Sequence, residues 1–284
     1  LSVLVGHSIQ ENRWDMTNIS KQGFPTDNIY EMDGGSQNDQ VSGSAEETRL
    51  QSFFGRINYN YGDRYMAEFN IRRDGSSRLP SSNRYATFPS FSAAWIISNE
   101  AFMQNIKWLS SLKLRGSWGK LGNQEIGNYA YTETLSAQGS YFFGDNKYIG
   151  MKTSKIANGN IKWETTTITD FGFDASFWGG RISVVFDWYN KETSDILLQL
   201  PMPSIFLGSL AAPYQNAGKV RNRGWELAGN YQDRQGDWQW QAGFSLAGVS
   251  NKIIDMNGQE SISGSTINRE GYAIGSYYAL KAIG

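Results

Sequence analysis

Apolar and polar residues alternate one by one along most of the chain, which is the two-residue period of a half-exposed β-strand. Towards Tyr61 the odd positions Ile57 and Tyr59 are apolar, while Arg56, Asn58 and Asn60 are polar. After the break Gly62-Asp63-Arg64 the pattern resumes. Tyr65, Ala67, Phe69 and Ile71 share one face, and Glu68, Asn70 and Arg72 the other. Two such runs about a tight break predict a hairpin. The same period predicts strands at 1–9, 91–97, 112–118, 170–177, 182–189, 225–231 and 238–246, and a less regular one at 272–283. That is about ten strands, each near the ~9–11 residues that cross a bilayer at a tilt.

The connections alternate in length. Short links fall at 62–64, 178–180 and 232–237. A medium link at 98–111 reads as a helical turn capped by Ser98, with Phe102, Met103 and Trp108 apolar. Between them lie long polar loops at 11–48, 74–84, 120–160, 192–218 and 250–271, with Asp255-Met-Asn-Gly258 read as a turn. In an up-and-down meander this order places every short link at one end and every long loop at the other, the asymmetry of transmembrane β-barrels. The aromatics follow it. Tyr61, Tyr65, Trp95, Trp108, Phe177, Trp178, Tyr231 and Trp238 sit beside the short and medium links, as an interfacial girdle requires. Trp118 and Trp188 end strands on the long-loop side and predict part of a second girdle, and His7 falls at an interfacial strand end. A soluble β-sandwich or propeller also alternates. Against it stand strands longer than the usual ~5–6 residues and the absence of a blade-length repeat.

Composition narrows the classes further. Forty of 284 residues are aromatic and the net charge is -1, which excludes a disordered chain. Twenty-six basic residues face 27 acidic ones, so there is no electrostatic footprint for nucleic acid. Cysteine is absent and His7 is the one histidine, which argues against thiolate metal sites, multi-histidine centres and His-based triads. Neither a cofactor nor a metal is expected, and no nucleophile–base constellation marks an enzyme. No apolar run approaches the ~18 residues of a spanning helix, which leaves membrane barrels open because half of each strand faces a polar lumen. Leu1 is neither an initiator Met nor the start of a signal peptide, so the chain is expected to be a processed product or an interior piece.

Five stretches resemble one family. Ile71-Arg-Arg-Asp-Gly-Ser-Ser-Arg78 with Asn83-Arg-Tyr-Ala-Thr-Phe-Pro-Ser-Phe-Ser-Ala-Ala-Trp95 is similar to a signature of the SusC/RagA-like TonB-dependent outer-membrane transporters. Leu112 to Gln124, Ile161-Lys-Trp-Glu-Thr165, Asp187 to Leu198 and Asn216 to Leu227 resemble further segments in the same order. The resemblance implies an all-β fold, an antiparallel up-and-down transmembrane barrel of 22 strands filled by a plug. It implies an outer membrane of a Gram-negative, Bacteroidetes-type bacterium, import of an oligosaccharide or peptide, a SusD-like surface lipoprotein and energy from TonB acting on the plug. On that reading residues 1–284 are a partial barrel, with plug and closing strands lying elsewhere. The alternative is a surface binding, adhesion or scaffold barrel within a larger envelope complex.

Candidate contacts with ligand or partner are Arg72, Arg73, Asp74 and Arg78 around the Gly75-Ser-Ser loop, against the plainer reading of a solvated turn at Asp74-Gly75. Trp163 beside Glu164 suits stacking on a sugar or peptide. The plainer alternative is girdle packing for Trp163 and an ion pair for Glu164. The lumen-facing set is Arg56, Asn58, Glu68, Asn70, Arg115, Asp170, Asp174, Asn222 and Glu226, whose mixed signs predict cross-strand pairs and contacts to the plug. Asp170 and Asp174 stand roughly 13 Å apart at ~3.3 Å per residue, too far for a glycosidase pair.

Overall fold

The computed structural model describes residues 1–200, 202–208, 210–233 and 238–280. Nine strands form one antiparallel sheet: β1 (Ser2–Gln22), β2 (Gln37–Tyr61), β3 (Tyr65–Ser76), β4 (Tyr85–Ile96), β5 (Leu109–Asn123), β8 (Glu164–Phe177), β9 (Ile182–Ser194), β12 (Lys219–Asp233) and β13 (Trp240–Asp255). They pair in that order, so the sheet is a meander. The long loops carry small sheets of their own: β6 (Thr134–Phe143) with β7 (Asn146–Lys155), β10 (Leu197–Leu198) with β11 (Gln215–Asn216), and β14 (Ser261–Ser263), β15 (Thr266–Asn268) and β16 (Ser276–Tyr277).

Directly opposed residues in a sheet point to the same side, so the register fixes the faces. Val3, Ile57, Phe69, Phe91 and Trp118 form one cross-strand row, and Leu114, Phe173, Phe186, Leu227 and Leu246 another. This apolar face is open: Phe69, Phe91, Phe171 and Phe244 all remain exposed. A contiguous apolar surface across nine strands is unsuited to water and suited to lipid. Among the described residues no helix is long and apolar enough to cross a membrane; the crossing is made by strands. The opposite face is polar, with Asn58, Glu68, Ser92, Ser117 and Asp170 in one row.

The short-link end carries a girdle. Tyr59, Tyr61, Tyr65 and Trp95 follow one another at ring separations of 6.5, 6.5 and 6.3 Å, Trp108 stacks on Phe177 at 5.8 Å, and Tyr231 meets Trp240 at 4.7 Å. Gly62 and Asp63 both take positive φ in the first turn, and Trp178, Gly179 and Gly180 do so in the third. At the other end Phe171 stacks on Trp188, which opposes Trp225. His7 lies on Phe53 at 4.5 Å on the apolar face.

Several sequence expectations are corrected. The 11–48 segment is a loop only at 23–36: β1 and β2 stay paired from Ser2↔Asn58 to Gln22↔Gln37 and project as a ribbon past the last β2–β3 pair, Leu50↔Ser76. Asp74-Gly75 is no turn, since β3 runs through Ser76 and the Tyr85 ring lies where a Gly75 Cβ would stand. The 98–111 link holds two 3-10 turns, at Ile97–Asn99 and Ala101–Met103, and Ser98 lies inside the first without capping it. The expected strand at 272–283 contributes only Ser276–Tyr277, in a loop sheet, and residues 281–284 lie outside the described residues. Residues 234–237 of the 232–237 link also lie outside them.

Candidate functional site

At the long-loop end, on the polar side of the sheet, the loops close over a small core. Leu79 and Ile161 are fully buried, and Phe88, Ile126, Ala130 and Trp163 complete the cluster. The residues that hold it are short amides reaching loop carbonyls. Asn83 donates to the carbonyls of Asn160 and Ile161 at 3.1 and 3.2 Å. Asn158 donates to Tyr214 O at 3.0 Å. Asn216 donates to Lys162 O and Asp195 O at 2.7 and 2.9 Å and accepts from Lys162 N. Loops far apart in sequence are thereby joined through backbone groups that would otherwise be left without partners.

Trp163 is the keystone of this clasp. Only 6% of it is exposed, its ring meets Phe88 edge-on at 5.4 Å, and its Nε1 donates to Arg84 O at 2.9 Å. It has no open face for a sugar or peptide, and it packs under the loops and not in a lipid girdle, so both sequence readings of Trp163 are corrected. Among the described residues Glu164 makes no ion pair. One carboxylate oxygen accepts from the Asn123 amide and the other from Leu197 N.

The arginine-rich segment divides across the sheet because successive strand residues face opposite sides. Arg72 points to the polar side, bonded to both oxygens of buried Asp74 at 2.7 and 2.8 Å and to Ser52 Oγ at 2.8 Å. Arg73 points to the apolar side, 5.4 Å from the centre of the Tyr85 ring. Arg78 is half-buried and its guanidinium makes no ion pair among the described residues.

Further down the polar face, charged side chains pair across strands. Arg115 lies at the centre, 2.7 Å from Asp187, 3.2 Å from Asp174 and 3.8 Å from Asp170. Asp170 and Asp174, four residues apart on β8, thus converge on one guanidinium. Glu226 stands opposite Asp187, a like-charge pair that Arg115 offsets. Gly172 makes room for this arrangement: a Cβ there would stand 2.4 Å from the Asp187 carboxylate and 2.6 Å from Phe186 O. Asn70 donates to Glu68, and Asn251 to Asn222. Arg56 opposes Asn70, and Asn58 opposes Glu68. A groove of about 610 Å³ runs over Glu68, Lys113, Arg115 and Asp170.

One residue escaped the sequence reading. Glu100, in the medium link, is buried and accepts from Tyr65 OH at 2.6 Å, Trp95 Nε1 at 3.1 Å and Arg64 at 3.2 Å. The Tyr65 hydroxyl, then the Trp95 ring N–H and Arg64, hold its carboxyl below the ordinary glutamate range. A lone acid beside two girdle aromatics was the available signal. Among the described residues no three histidine, aspartate or glutamate side chains are grouped to hold a metal ion.

Comparison with known proteins accords with this geometry. The family described as TonB dependent receptor-like, beta-barrel matches residues 4–276. TonB-dependent receptor P3 of Formosa agariphila is 33% identical over 99% of this chain and 29% of its own length. TonB-dependent receptor SusC of Bacteroides thetaiotaomicron is 33% identical over 84% of the chain and 26% of its own. Among solved structures, the RagAB peptide importer in its closed-closed state superposes with a TM-score of 0.85 at 29% identity, covering 95% of this chain and 30% of the other. The chain thus spans less than a third of the length of these relatives.

Proposed function

The chain belongs to the TonB-dependent receptor-like β-barrel family of the outer membrane, and from that premise we propose that it is part of a nutrient importer. The substrate class is an oligosaccharide or a short peptide, captured outside and drawn in when TonB rearranges a plug. The supporting observation is the sheet itself: an apolar outer face, a polar inner face, short links at one end and clasped long loops at the other. By the asymmetry of such barrels the short links are periplasmic and the long loops extracellular.

β1 and β13 each present an edge with no partner strand among the described residues. Unpaired amides in lipid cost several kcal/mol each. The sheet therefore forms part of a larger barrel, which we take to have 22 strands closed by other segments of the protein around an N-terminal plug. Arg115, Asp170, Asp174, Glu68 and Glu226 then line the lumen and meet that plug. Arg78, at the long-loop end, is offered for contact with a SusD-like lipoprotein. No bond is made or broken in this function; the protein binds and moves its cargo.

The test is deletion of the full-length gene in its host, followed by growth on single oligosaccharide or peptide sources. Loss of growth on one source, restored by the wild-type gene and not in a strain lacking TonB, is the expected result. Unchanged uptake of every source, with loss of surface attachment or envelope assembly instead, would replace import with the adhesion or scaffold reading.

A further inference from the structure

We propose that a pocket at the outer rim, between the β1–β2 ribbon and the 124–133 loop, binds the phosphorylated headgroup of an outer-leaflet glycolipid. The pocket has a volume of about 500 Å³, in the range of small-ligand sites. Its position argues for lipid over nutrient. Ile9, Gln51, Gly75 and Tyr85 line it and stand in one cross-strand row. The unbroken register puts that row on the same side as Phe53, Ile57 and Phe69, the apolar face. The pocket therefore opens towards the membrane, at the level where the apolar band ends, and away from the lumen through which cargo passes.

Three features of its lining point to an anionic, sugar-like occupant. Arg84 contributes to the wall, and its guanidinium makes no ion pair among the described residues, which leaves its charge available to an anion. Glu47 is the carboxylate in the lining, and Arg49, also in the wall, bridges it and Glu11 at 2.5 and 3.2 Å. Tyr129 and Tyr131 supply aromatic surface. Tyr129 holds a left-handed backbone at φ 57, an outlier for a bulky residue of the kind that collects at binding sites. Directly below, Arg73 lies over Tyr85, and exposed Phe53 and Ile71 continue downward as a strip for an acyl chain. A phosphate held by Arg84 in the pocket, a sugar ring against the tyrosines and a chain leading past Arg73 along Phe53 and Ile71 satisfy each of these groups.

The inference rests on the long loops being extracellular, as in the reading above, and its test is separable from import. The full-length protein is purified in mild detergent, delipidated and titrated with bis-phosphorylated lipid A, with bound lipid counted by native mass spectrometry. Phosphatidylcholine and inorganic phosphate are run as separate probes. The expected result is one tightly retained lipid A, weakened at least tenfold in R73Q/R84Q, with no retention of phosphatidylcholine and no displacement by phosphate. Tyr129→Asn keeps a residue that tolerates the left-handed backbone while removing the ring, and it weakens retention at least threefold. Heat-modifiable gel mobility verifies that each variant is a folded barrel. Equal retention by folded wild type and variants overturns the proposal, as does displacement by phosphate alone or preferential uptake of an oligosaccharide or peptide by the pocket. Normal nutrient uptake by the lipid-deficient variants is expected. Failed import in the wild type with the lipid site intact would count against the import reading alone.

Discussion

Replacing Trp163 tests whether the long-loop end is held by packing or by hydrogen bonding. Trp163 is buried, touches Phe88 edge-on and donates to Arg84 O. Trp163→Ala removes a buried indole, which costs about 3–5 kcal/mol with its cavity. Trp163→Phe keeps most of the volume and the aromatic contact and loses the donor, leaving Arg84 O with the Ser76 N–H alone, at about 1 kcal/mol. At roughly 1.4 kcal/mol per tenfold, the alanine variant should open the clasp several hundredfold more often and the phenylalanine variant about fivefold. The assay is native-state hydrogen exchange of the full-length protein, read at two amides that report the clasp. Ser76 N–H bonds Arg84 O, and Leu197 N–H bonds Glu164. Exchange at these amides in Trp163→Ala within threefold of wild type would refute the reasoning. Equal effects of the two substitutions would show that the hydrogen bond, and not packing, carries the clasp.

Three further outcomes follow from the geometry. Gly172→Ala should cost about 1–3 kcal/mol in a denaturant melt, because its Cβ meets a backbone carbonyl; Gly116→Ala, whose nearest neighbour is the Phe171 ring at 3.1 Å, should be milder, and the reverse order would contradict the register. Phe69→Arg on the apolar face should cost about 2–4 kcal/mol of barrel stability while Ser92→Arg on the polar face is tolerated, and equal effects would unseat the assignment of faces. The lowered pKa of Glu100 stabilises the folded link above the ordinary glutamate pKa of ~4.3, and that contribution is lost as pH falls through the lower folded value. Acidification below about pH 4 should therefore loosen the link, seen as lowered protection of the Glu100 and Met103 amides relative to their intrinsic exchange rate at the same pH. Glu100→Gln should flatten this pH dependence, and a wild-type slope in that variant would sink the argument.

Nine of the ten expected strands, their faces and the end-to-end asymmetry were legible in the sequence because a strand between lipid and a wet lumen must alternate. Phe69, Phe91, Phe171 and Leu246 could be assigned to one side without coordinates. The paired part of 11–48 was not legible, since both faces of the ribbon meet water and no period is imposed. The β6–β7 hairpin was missed for the same reason. The end of β3 was misread because Asp-Gly is a common turn signal. Gly75 is there instead to admit the Tyr85 ring.

The sequence by itself determined a membrane-crossing antiparallel meander, its polar and apolar faces, and the motifs that mark its family. Only the tertiary structure decided what those motifs do. Asn83, Trp163 and Asn216 are separated along the chain by as many as 133 residues and meet in one clasp. Arg72 and Arg73, adjacent in sequence, end on opposite sides of the sheet. Asp170 and Asp174, which spacing keeps apart, meet on Arg115 because a guanidinium from the neighbouring strand reaches both. Alternation is a local property imposed by the two media, and it can be read along the chain. Which side chains converge depends on strand register and loop closure, which join residues distant in sequence and have no local signature.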